Sequence, residues 1–582
     1  MQHTKNNHKI GEFQTFIESN EKTGECLTEI LKFFEIRRIF KQFEGVKQRG
    51  IEVTLILTAL LIMLFYKSAN IYNFFYRGLA QRLNIDGSKN PYYDLLSNSH
   101  LCWRSLLFLV AKRLRYLFRQ KNQKEAGIHA IIFDDSPIEK TSYKTEMVSR
   151  IHDHVSGRFI LGYKLLVCGY WNGSHFIPID FSLHRERGSE LDKARKKRNT
   201  AREKVKKSQQ AHQEEKSILA DYKQELKELK ALAQEKTSKT LEKTIERKEK
   251  QILKRQKKTK KLHKESIIKE KELEKAVELV KTQEKKTPLY GLSNWQKRQQ
   301  YRNADRQADS PGDERVKEAD MKKGEVVKKM LSRAIKKGFI PDYVLFDSWF
   351  MSLELLDYIK SFYRKAIQVV GMIRMGNTQY YDPVSKQNLT ASELKRKYRD
   401  QMKRSRKFQA QYIKVPVMYG RHQVHLFIIR LGKHDKWKAI LTTDLNMNFP
   451  SLMEVYQIRW SIEVFFKEAK QYLKMGKCQC SNFDAQIGAI TISMLQYIML
   501  TWYKELHYGK SLGSLFDNLT KQASDETILK YMFKLFWDIV EKIGAILNVD
   551  CLELFEEIIR EDEKAKQILK LISPEITEKI AA

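Results

Sequence analysis

Cysteine is scarce in this chain: only 6 of its 582 residues are cysteines, and no two are spaced as CxxC. This excludes a disulfide framework and a four-cysteine zinc site as organising features. Cys478 and Cys480 are one residue apart, but no second pair exists to complete a soft-metal site, so we interpret them as ordinary thiols. With a polar N-terminal segment (MQHTKNNHKIGEF) and no secretory leader, the sequence predicts a protein of the reducing cytoplasm.

Apolar runs of membrane-spanning length are also missing. Residues 55–65 (LILTALLIMLF) are strongly apolar but reach only about half the length of a membrane span. They therefore predict a buried helix, and no membrane partner is expected. Hydrophobic residues make up 42% of the chain, which indicates a globular protein and not a disordered one.

Acidic residues are outnumbered by basic ones. Lys and Arg total 107 against 71 Asp and Glu, which gives a formal net charge of +36. Such an excess favours a polyanionic partner, with DNA and RNA ahead of an anionic membrane surface.

Glycine and proline are absent from residues 189–287. This tract is rich in good helix formers, and Leu219, Tyr222, Leu226 and Leu229 recur at helical spacing. A single straight helix of this length would extend about 150 Å. The polar break near residues 237–240 favours instead a basic helical hairpin, or coiled coil, of two antiparallel arms. Self-association and DNA binding are both open as its role.

The remaining chain predicts an α/β protein with helical regions at both ends. Residues 1–125 predict a helical domain that either binds DNA ends or serves as a scaffold. Strand and helix patterns over residues 126–188, 288–376 and 437–487 predict an α/β core in three pieces, with a polar, loop-like segment at residues 288–315. Residues 377–436 predict a β-rich insertion that includes a helix near residues 390–408, and residues 488–582 predict a helical region suited to dimerisation.

Acidic residues follow two predicted strands of this core. IHAIIFDD ends on Asp134 and Asp135, and YVLF is followed by Asp347. The segment SLMEVYQIRWSIEVFFKEAKQYLKMG predicts one helix with four polar residues within an arc of roughly 60°: Tyr456, Arg459, Glu463 and Lys470. Carboxylates at adjacent strand ends and on an abutting helix can converge on divalent cations. This interpretation requires Asp134, Asp347 and Glu463 to lie together in the fold.

Two pairs of neighbouring residues leave a choice. Successive residues of a strand point to opposite faces, so only one of Asp134 and Asp135 is expected to bind metal. His152 and His154 form an H-x-H pair, but no third ligand is evident, and we interpret them as loop residues.

The polar helix resembles a known family at every spacing. It matches the Y-x2-R-x3-E-x6-K signature of bacterial insertion-sequence transposases with a DDE triad. FDDSPI resembles the D-x-[ST] element of that family, which selects Asp134 over Asp135, and VLFDSWF resembles its second-aspartate element. WKAILTTDL resembles the tryptophan-bearing strand of the hairpin-forming, cut-and-paste members. The resemblance covers residues 128–185 and 324–480.

The resemblance implies an RNase H-like catalytic domain and a role for each matched residue. Asp134, Asp347 and Glu463 would bind two Mg²⁺ ions, for which Mn²⁺ is an expected substitute. DNA would be contacted by four side chains: Tyr456, Arg459 and Lys470 at phosphates, and Trp437 at a flipped base. A core aromatic is the alternative for Trp437.

The implied activity is DNA transposition. The enzyme would cleave double-stranded DNA at transposon ends through a hairpin intermediate and join the ends to target DNA. Paired ends imply a homodimer, working in the bacterial cytoplasm at the nucleoid. Two alternatives stay open: a metal-dependent nuclease without strand transfer, and a non-enzymatic scaffold built on the basic coiled coil. The arm of residues 189–287 has no counterpart in the matched pattern.

Overall fold

The structure is a computed structural model, which describes residues 25–47, 49–76, 79–82, 87–122, 127–186, 189–235, 239–286, 292–362, 366–432, 435–506, 510–521, 523, 542–543 and 545–547. The chain divides into two compact units. Unit 1 comprises Met1–Val148, Gly162–His184 and Gln300–Ala582, and unit 2 comprises Ser149–Leu161 and Arg185–Gln299, so far as these ranges are described.

Helices form the described N-terminal part of unit 1, up to residue 122. They are α1 (Glu25–Phe33), α2 (Ile36–Lys41), α3 (Val53–Ile62), α4 (Ile71–Tyr76), α5 (Leu79–Arg82), α6 (Asn90–Ser97) and α7 (Trp103–Asn122). Almost every side chain of α3 is buried, which confirms the buried helix predicted from its apolar run. Residues 1–24, which belong to the same predicted domain, lie outside the described chain.

Twelve strands of the described chain join in one sheet. They are β1 (His129–Glu139), β2 (Ser149–Asp153), β3 (Arg158–Asn172), β4 (Phe176–His184), β5 (Tyr343–Phe346), β6 (Gln368–Ile373), β7 (Gln379–Asp382), β8 (Gln387–Thr390), β9 (Lys403–Ser405), β10 (Ala410–Tyr419), β11 (His422–Leu431) and β12 (Lys438–Thr442). Through unit 1 the order is β3-β1-β5-β6-β12-β11-β10-β7-β8, with β4 paired to β3 and β9 to β10.

Strand β1 is the centre of the part of the sheet that matters for function. It pairs antiparallel with β3 over its whole length and parallel with β5 over Ala130–Phe133, and β5 pairs parallel with β6. The sequence predicted that β1 ends at its two aspartates, but it continues to Glu139 because β3 offers partners as far as Gly162. Only the pairing with β5 ends at Phe133.

Residues 377–436 do not fold apart from this sheet. Strands β10 and β11 form a long antiparallel hairpin, β11 pairs with β12, and β12 pairs with β6. The β-rich character was predicted, but these strands extend the central sheet at its edge. The helix predicted near residues 390–408 is shorter than expected, because a single turn and β9 follow Lys397.

Unit 2 is dominated by two long helices, α8 (Ser189–Glu235) and α9 (Lys239–Lys286). Ion pairs between them match early residues of α8 with late residues of α9, as in Arg195 with Glu284 and Lys230 with Glu249, so the helices run antiparallel. The sequence predicted a break at residues 237–240; of these, 237 and 238 lie outside the described chain, whereas Lys239 and Thr240 begin α9. Unit 2 also contains the short helix α10 (Asn294–Arg298) and the hairpin of β2 with the first residues of β3.

The remaining helices of unit 1 follow in chain order. They are α11 (Pro311–Ala319), α12 (Lys323–Lys336), α13 (Leu353–Lys360), α14 (Ala391–Lys397), α15 (Phe449–Gln457), α16 (Trp460–Gln471) and α17 (Phe483–Leu506). α17 is long and apolar enough to cross a membrane, but 94% of its most apolar window is buried inside the protein, where it packs on α3, α6 and α7. Most of the predicted dimerisation region that follows, including residues 548–582, lies outside the described chain.

Helices α10 and α11 lie where the sequence predicted a loop. Each is short and polar and begins with a serine cap: the Ser293 hydroxyl accepts the amide of Gln296, and Ser310 accepts that of Asp313. α11 carries buried ionic side chains, which explains its polar sequence.

A buried ionic cluster ties α11 to the sheet. Asp180 of β4 is fully buried and accepts hydrogen bonds from Arg104 of α7 (3.1 Å) and Arg333 of α12 (2.8 Å). Both arginines also bind Glu318 of α11, at 2.6 and 2.8 Å. Arg315 adds a third cation 3.6 Å from Asp180. Burial works against the charge of Asp180, but the three arginines outweigh it and lower its pKa.

Candidate active site

Asp134 and Asp347 lie on neighbouring interior strands of the sheet, at the end where the pairing of β1 with β5 stops. Each follows directly on a registered pair of the parallel strands β1 and β5, Phe133 with Phe346. Adjacent strands are about 4.8 Å apart, so the two aspartates begin from neighbouring positions. Each carboxylate also accepts the backbone amide of the next residue, at 2.8 Å from Asp135 and 2.6 Å from Ser348.

Asp134 and Asp135 face different surroundings, as their places on a strand require. Asp135 forms an ion pair with Lys323 and lies 4.0 Å from Lys164. Asp134 instead lies 3.4 Å from Arg459 of the polar helix. The geometry therefore favours Asp134 as the aspartate of the candidate site and gives Asp135 a basic partner of its own.

The polar segment is two helices with a tight joint, where the sequence predicted one. α15 ends at Gln457 and α16 begins at Trp460. Ile458 and Arg459 keep helical backbone angles, but successive amides around them bond three residues back instead of four, as in Arg459 to Tyr456 and Ile462 to Arg459. The joint leaves Arg459 at the start of α16, four residues before Glu463.

Arg459 is the side chain that connects the site. Its guanidinium donates to Glu463 Oε1 at 2.7 Å and to Asp134 Oδ2 at 3.4 Å. It also lies over the ring of Tyr456, 5.6 Å from the centroid. Burial works against the charge of Arg459, but Tyr456, Glu463 and Asp134 outweigh it and raise its pKa above the ordinary value.

Burial raises the pKa of two groups in the site. The pKa of Asp134 rises to about 7, although the amide of Asp135 and the charge of Arg459 act in the opposite direction. Burial likewise raises the pKa of Tyr456 to about 12. The Tyr456 hydroxyl and Arg459 Nε are buried and have no hydrogen-bond partner among the described residues. Such donors suit an external acceptor such as a phosphate oxygen.

Lys470 lies beside the same strand but is already engaged. Its ammonium donates to the Ser136 hydroxyl at 2.6 Å and to the Pro137 carbonyl at 2.9 Å. Ser136 is two residues from Asp134. Lys470 therefore holds α16 against β1 just beyond the carboxylates.

The carboxylates suit a hard divalent cation in kind. Asp134, Asp347 and Glu463 offer only oxygen ligands, and the raised pKa of Asp134 means that a nearby cation would stabilise its charged form. The described residues nevertheless contain no group of three or more Asp, Glu, His or Cys side chains close enough to hold one ion. The Arg459 guanidinium lies between Asp134 and Glu463 and binds both carboxylates.

Trp437 directly precedes β12, and it lies at the same end of the strands as Asp347. The next strand residues pair Ala439 with Ile373 of β6, and β6 neighbours β5. Trp437 is therefore two strands away from Asp347, about 10 Å laterally. Its half-buried ring has Lys395 at 5.4 Å and Arg430 at 5.2 Å from its centroid, which is a basic setting for an aromatic ring.

The predicted histidine and cysteine pairs lie elsewhere. His152 is in β2 of unit 2, not in a loop, and its Nδ1 is 3.2 Å from that of His154 in the following turn. Cys478 and Cys480 are free thiols of unit 1, and burial raises the pKa of Cys478. Neither pair belongs to a metal-ligand group in the described chain.

One residue beside the site was missed from sequence. Trp349 follows Asp347 by two positions, its side chain is 66% exposed, and the guanidinium of Arg374 stacks on its ring at 3.9 Å. The aromatic in VLFDSWF was the available signal. Exposure of so large a ring beside the carboxylates was not readable from the sequence.

Two families of proteins match parts of the chain. Residues 315–499 match the family described as a transposase DDE domain, and residues 55–237 match the family described as a DDE superfamily endonuclease. The first range contains Asp347 and Glu463, and the second contains Asp134. Each range is about a third of the chain. The matches support a DDE-superfamily, transposase-like nuclease that acts on DNA. No curated protein matches the chain significantly.

Proposed function

We propose that this protein is a cut-and-paste DNA transposase of the hairpin-forming class with the Y-x2-R-x3-E-x6-K signature. One observation carries the proposal: Asp134 and Asp347 each follow the last registered pair of the parallel strands β1 and β5, and Arg459 links Asp134 to Glu463 on the signature helix. Two aspartates on neighbouring strands and a helical glutamate are the three acidic positions of a DDE triad.

The topology around these residues supports an RNase H-like core. The strand order is β4-β3-β1-β5-β6, with β3 antiparallel to β1 and with β5 and β6 parallel to it, which is a mixed sheet compatible with such a core. It also explains why residues far apart in sequence lie close together, since neighbouring parallel strands have their carboxyl ends on the same side of the sheet.

Each side chain has a proposed task. Asp134, Asp347 and Glu463 would hold two Mg²⁺ or Mn²⁺ ions, which would activate the attacking oxygen and stabilise the leaving oxygen. The Tyr456 hydroxyl and the Arg459 guanidinium bind the phosphate beside the scissile bond, where a fork of N–H donors fits two oxygens. Lys470 orders β1 next to Asp134 and adds positive charge for the DNA strand.

The proposed reaction is a series of exchanges at phosphorus. Water first replaces the 3′-oxygen at the transposon end, and the departing oxygen takes a proton to become a 3′-hydroxyl. That hydroxyl then attacks the opposite strand, which forms a hairpin and frees the flanking DNA. A second hydrolysis reopens the hairpin, and the 3′-hydroxyl finally attacks target DNA. Each step makes one P–O bond and breaks one, so no oxidant or reductant is required.

Trp437 is proposed to stack on the base displaced while the hairpin forms. Its ring lies at the same end of the strands as Asp347 and has the cations of Lys395 and Arg430 close by. Two transposon ends must be held together, so we propose a homodimer. We propose that it acts in the bacterial cytoplasm, at the nucleoid, and the basic composition supports this proposal.

The experiment is a reaction with paired transposon ends, a target plasmid and Mg²⁺. Wild-type protein is expected to give cleaved ends, hairpins and joined product. Asp347→Ala and Glu463→Ala are expected to lose all three while they still bind DNA. Because Asp357→Ala removes a half-buried carboxylate of α13 that pairs with Arg421 and His422, away from the candidate site, it is the matched control and is expected to keep activity.

The outcomes separate the alternatives. Cleaved ends without joined product would favour a nuclease without strand transfer, in keeping with the endonuclease family that residues 55–237 match. Unchanged cleavage in Asp347→Ala and Glu463→Ala would refute the proposed triad. Binding without any cleavage by wild-type protein would favour a DNA-binding scaffold.

A further inference from the structure

Helix α9 carries a stripe of lysines within a stretch that contains no acidic residue. Residues 250–264 contain 8 basic residues and no acidic one. Five of them recur at intervals of four and three positions, which places them within about 80° of one helical face: Lys250, Lys254, Lys257, Lys261 and Lys264. We call these five residues the lysine stripe. It extends over about 21 Å of the helix.

The lysine stripe points away from the partner helix of unit 2. All five of its residues are exposed, whereas Ile252 and Ser266, on the opposite side of α9, are buried. Within the described chain, none of the five makes an ion pair or hydrogen bond. Basic residues on the inward side do find partners: Arg255 and Lys258 both bind Glu215 of α8 at 2.8 Å.

An unpaired stripe of one sign opposes helix formation. Like charges three or four positions apart destabilise a helix by tenths of a kcal/mol per pair. The following part of α9 shows the ordinary solution, because lysines and glutamates alternate from Glu270 to Glu284. The lysine stripe therefore lacks a stabilising role within unit 2, and an external polyanion would relieve its repulsion.

We propose that the lysine stripe is a binding surface for the phosphate backbone of duplex DNA. One DNA strand presents a phosphate every 3.4 Å along the axis, so about six phosphates lie within the length of the stripe. A second copy of the chain is a poorer occupant because it too has a net charge of +36. The choice of DNA over other polyanions rests on the proposed function. The surface reads charge and not sequence, because lysine is a point charge.

The test compares two full-length variants with the same net charge of +31, since each replaces five lysines of α9 by glutamine (36 − 5 = 31). The stripe variant is K250Q, K254Q, K257Q, K261Q and K264Q. The matched control takes five lysines from the alternating part: K269Q, K271Q, K275Q, K281Q and K285Q. Glutamine is a good helix former, so both helices are expected to persist, which circular dichroism checks.

Binding to a duplex of unrelated sequence is measured by fluorescence anisotropy from 50 to 200 mM salt in EDTA. The stripe variant is expected to bind about 10- to 100-fold more weakly at 100 mM salt, with a log–log salt slope reduced by about 2 to 4. The control is expected to stay within about threefold of wild type. Equal losses in both variants, or none in either, would overturn the proposal, because binding would then follow net charge alone or another surface.

Two further measurements keep the result clear. In wild-type protein, DNA is expected to protect the lysine stripe from amine acetylation more than the control lysines, which requires no variant to fold; equal protection contradicts the proposal. Loss of binding to anionic vesicles or of the dimer in the stripe variant, with DNA binding intact, would assign the surface to a membrane or a second copy and overturn it. Asp347→Ala is expected to bind the duplex normally, so failure of the catalytic proposal gives a different pattern.

Discussion

Arg459 sets the charge balance of the candidate site. Its guanidinium joins Asp134 and Glu463, and a cation bound by both carboxylates would compete with it for the same oxygens. Arg459 and the metal would therefore stabilise the same carboxylate charges but compete for the same oxygens. Removing Arg459 should harm the reaction without harming metal binding, which separates it from Glu463.

Arg459→Ala is expected to lower DNA cleavage by on the order of 100-fold or more, because a charged donor to the phosphate is lost. Mn²⁺ affinity, measured by calorimetry without DNA, is expected to stay unchanged or to tighten. Glu463→Ala is expected to weaken Mn²⁺ binding by about tenfold or more. Arg421→Ala, which removes a largely exposed arginine on Asp357, should change neither quantity. Weaker Mn²⁺ binding in Arg459→Ala would show that the guanidinium organises the ligands.

Asp134 makes stability depend on pH in the absence of metal. Its pKa is about 7 in the folded protein and about 3.9 when unfolded. Between these values the folded state binds more protons, so this residue makes the protein less stable as pH rises from about 4 to about 7. The destabilisation is complete above pH 7 and amounts to a few kcal/mol, because each pH unit between the two pKa values contributes about 1.4 kcal/mol.

Asp134→Asn should therefore stabilise the metal-free protein at pH 8 by about 1–3 kcal/mol and have little effect at pH 4. Asparagine can still accept the amide of residue 135. Urea unfolding at both pH values measures the difference. Asp135→Asn is the adjacent control and is expected to destabilise slightly, because it loses charge pairing with Lys323. A stabilisation that is equal at pH 4 and pH 8 would contradict a raised pKa.

The grouping of the candidate residues could be predicted from sequence where one segment carried them. The spacing of Tyr456, Arg459 and Glu463 needs only helical geometry, and Arg459 contacts both other side chains despite the helical joint at Ile458. The ion pair of Arg459 with Asp134 was not predictable, because it depends on side-chain positions of residues 325 apart in sequence.

At the scale of elements, the cluster around Asp180 connects the sheet to three helices. Asp180→Ala is expected to lower the free energy of unfolding by about 3–5 kcal/mol, because three arginines would lose their buried counter-charge. Chemical denaturation of the full-length protein measures the change. Asp309→Ala, which breaks an exposed ion pair with Lys317 of α11, is expected to cost no more than about 1 kcal/mol. Equal effects would mean that water or neighbouring glutamates compensate the arginines.

Elements differed in how far they could be predicted. The core strands β5 and β6 were readable because β-branched and apolar residues fill short runs between turn residues. α11 was not, since its buried Arg315 and Glu318 are satisfied by residues of other elements, and burial of charge mimics a surface loop in sequence. β1 is longer than predicted because its pairing with β3, which follows later in the chain, determines where it ends.

At the scale of the whole molecule, the mixed α/β class could be predicted from the order of strand and helix patterns, but the continuity of β7–β12 with the central sheet could not. That continuity rests on the pairing of β12 with β6, whose residues are more than 60 positions apart. The net charge, in contrast, can be counted from the sequence without knowledge of the fold.

A net charge of +36 means that the folded protein repels itself. Salt shortens the range of this repulsion from about 30 Å at 0.01 M to about 8 Å at 0.15 M, while buried pairs such as Arg104 with Asp180 are screened much less. The melting temperature is therefore expected to rise by about 2–5 °C from 10 to 150 mM NaCl, and further with a short duplex DNA that binds the folded state. Differential scanning calorimetry measures both. A variant with five of the exposed lysines replaced, such as the stripe variant, should show a smaller rise because it starts with less repulsion. A melting temperature that falls with salt would mean that surface ion pairs, including Lys248 with Glu225, contribute more than the net repulsion removes.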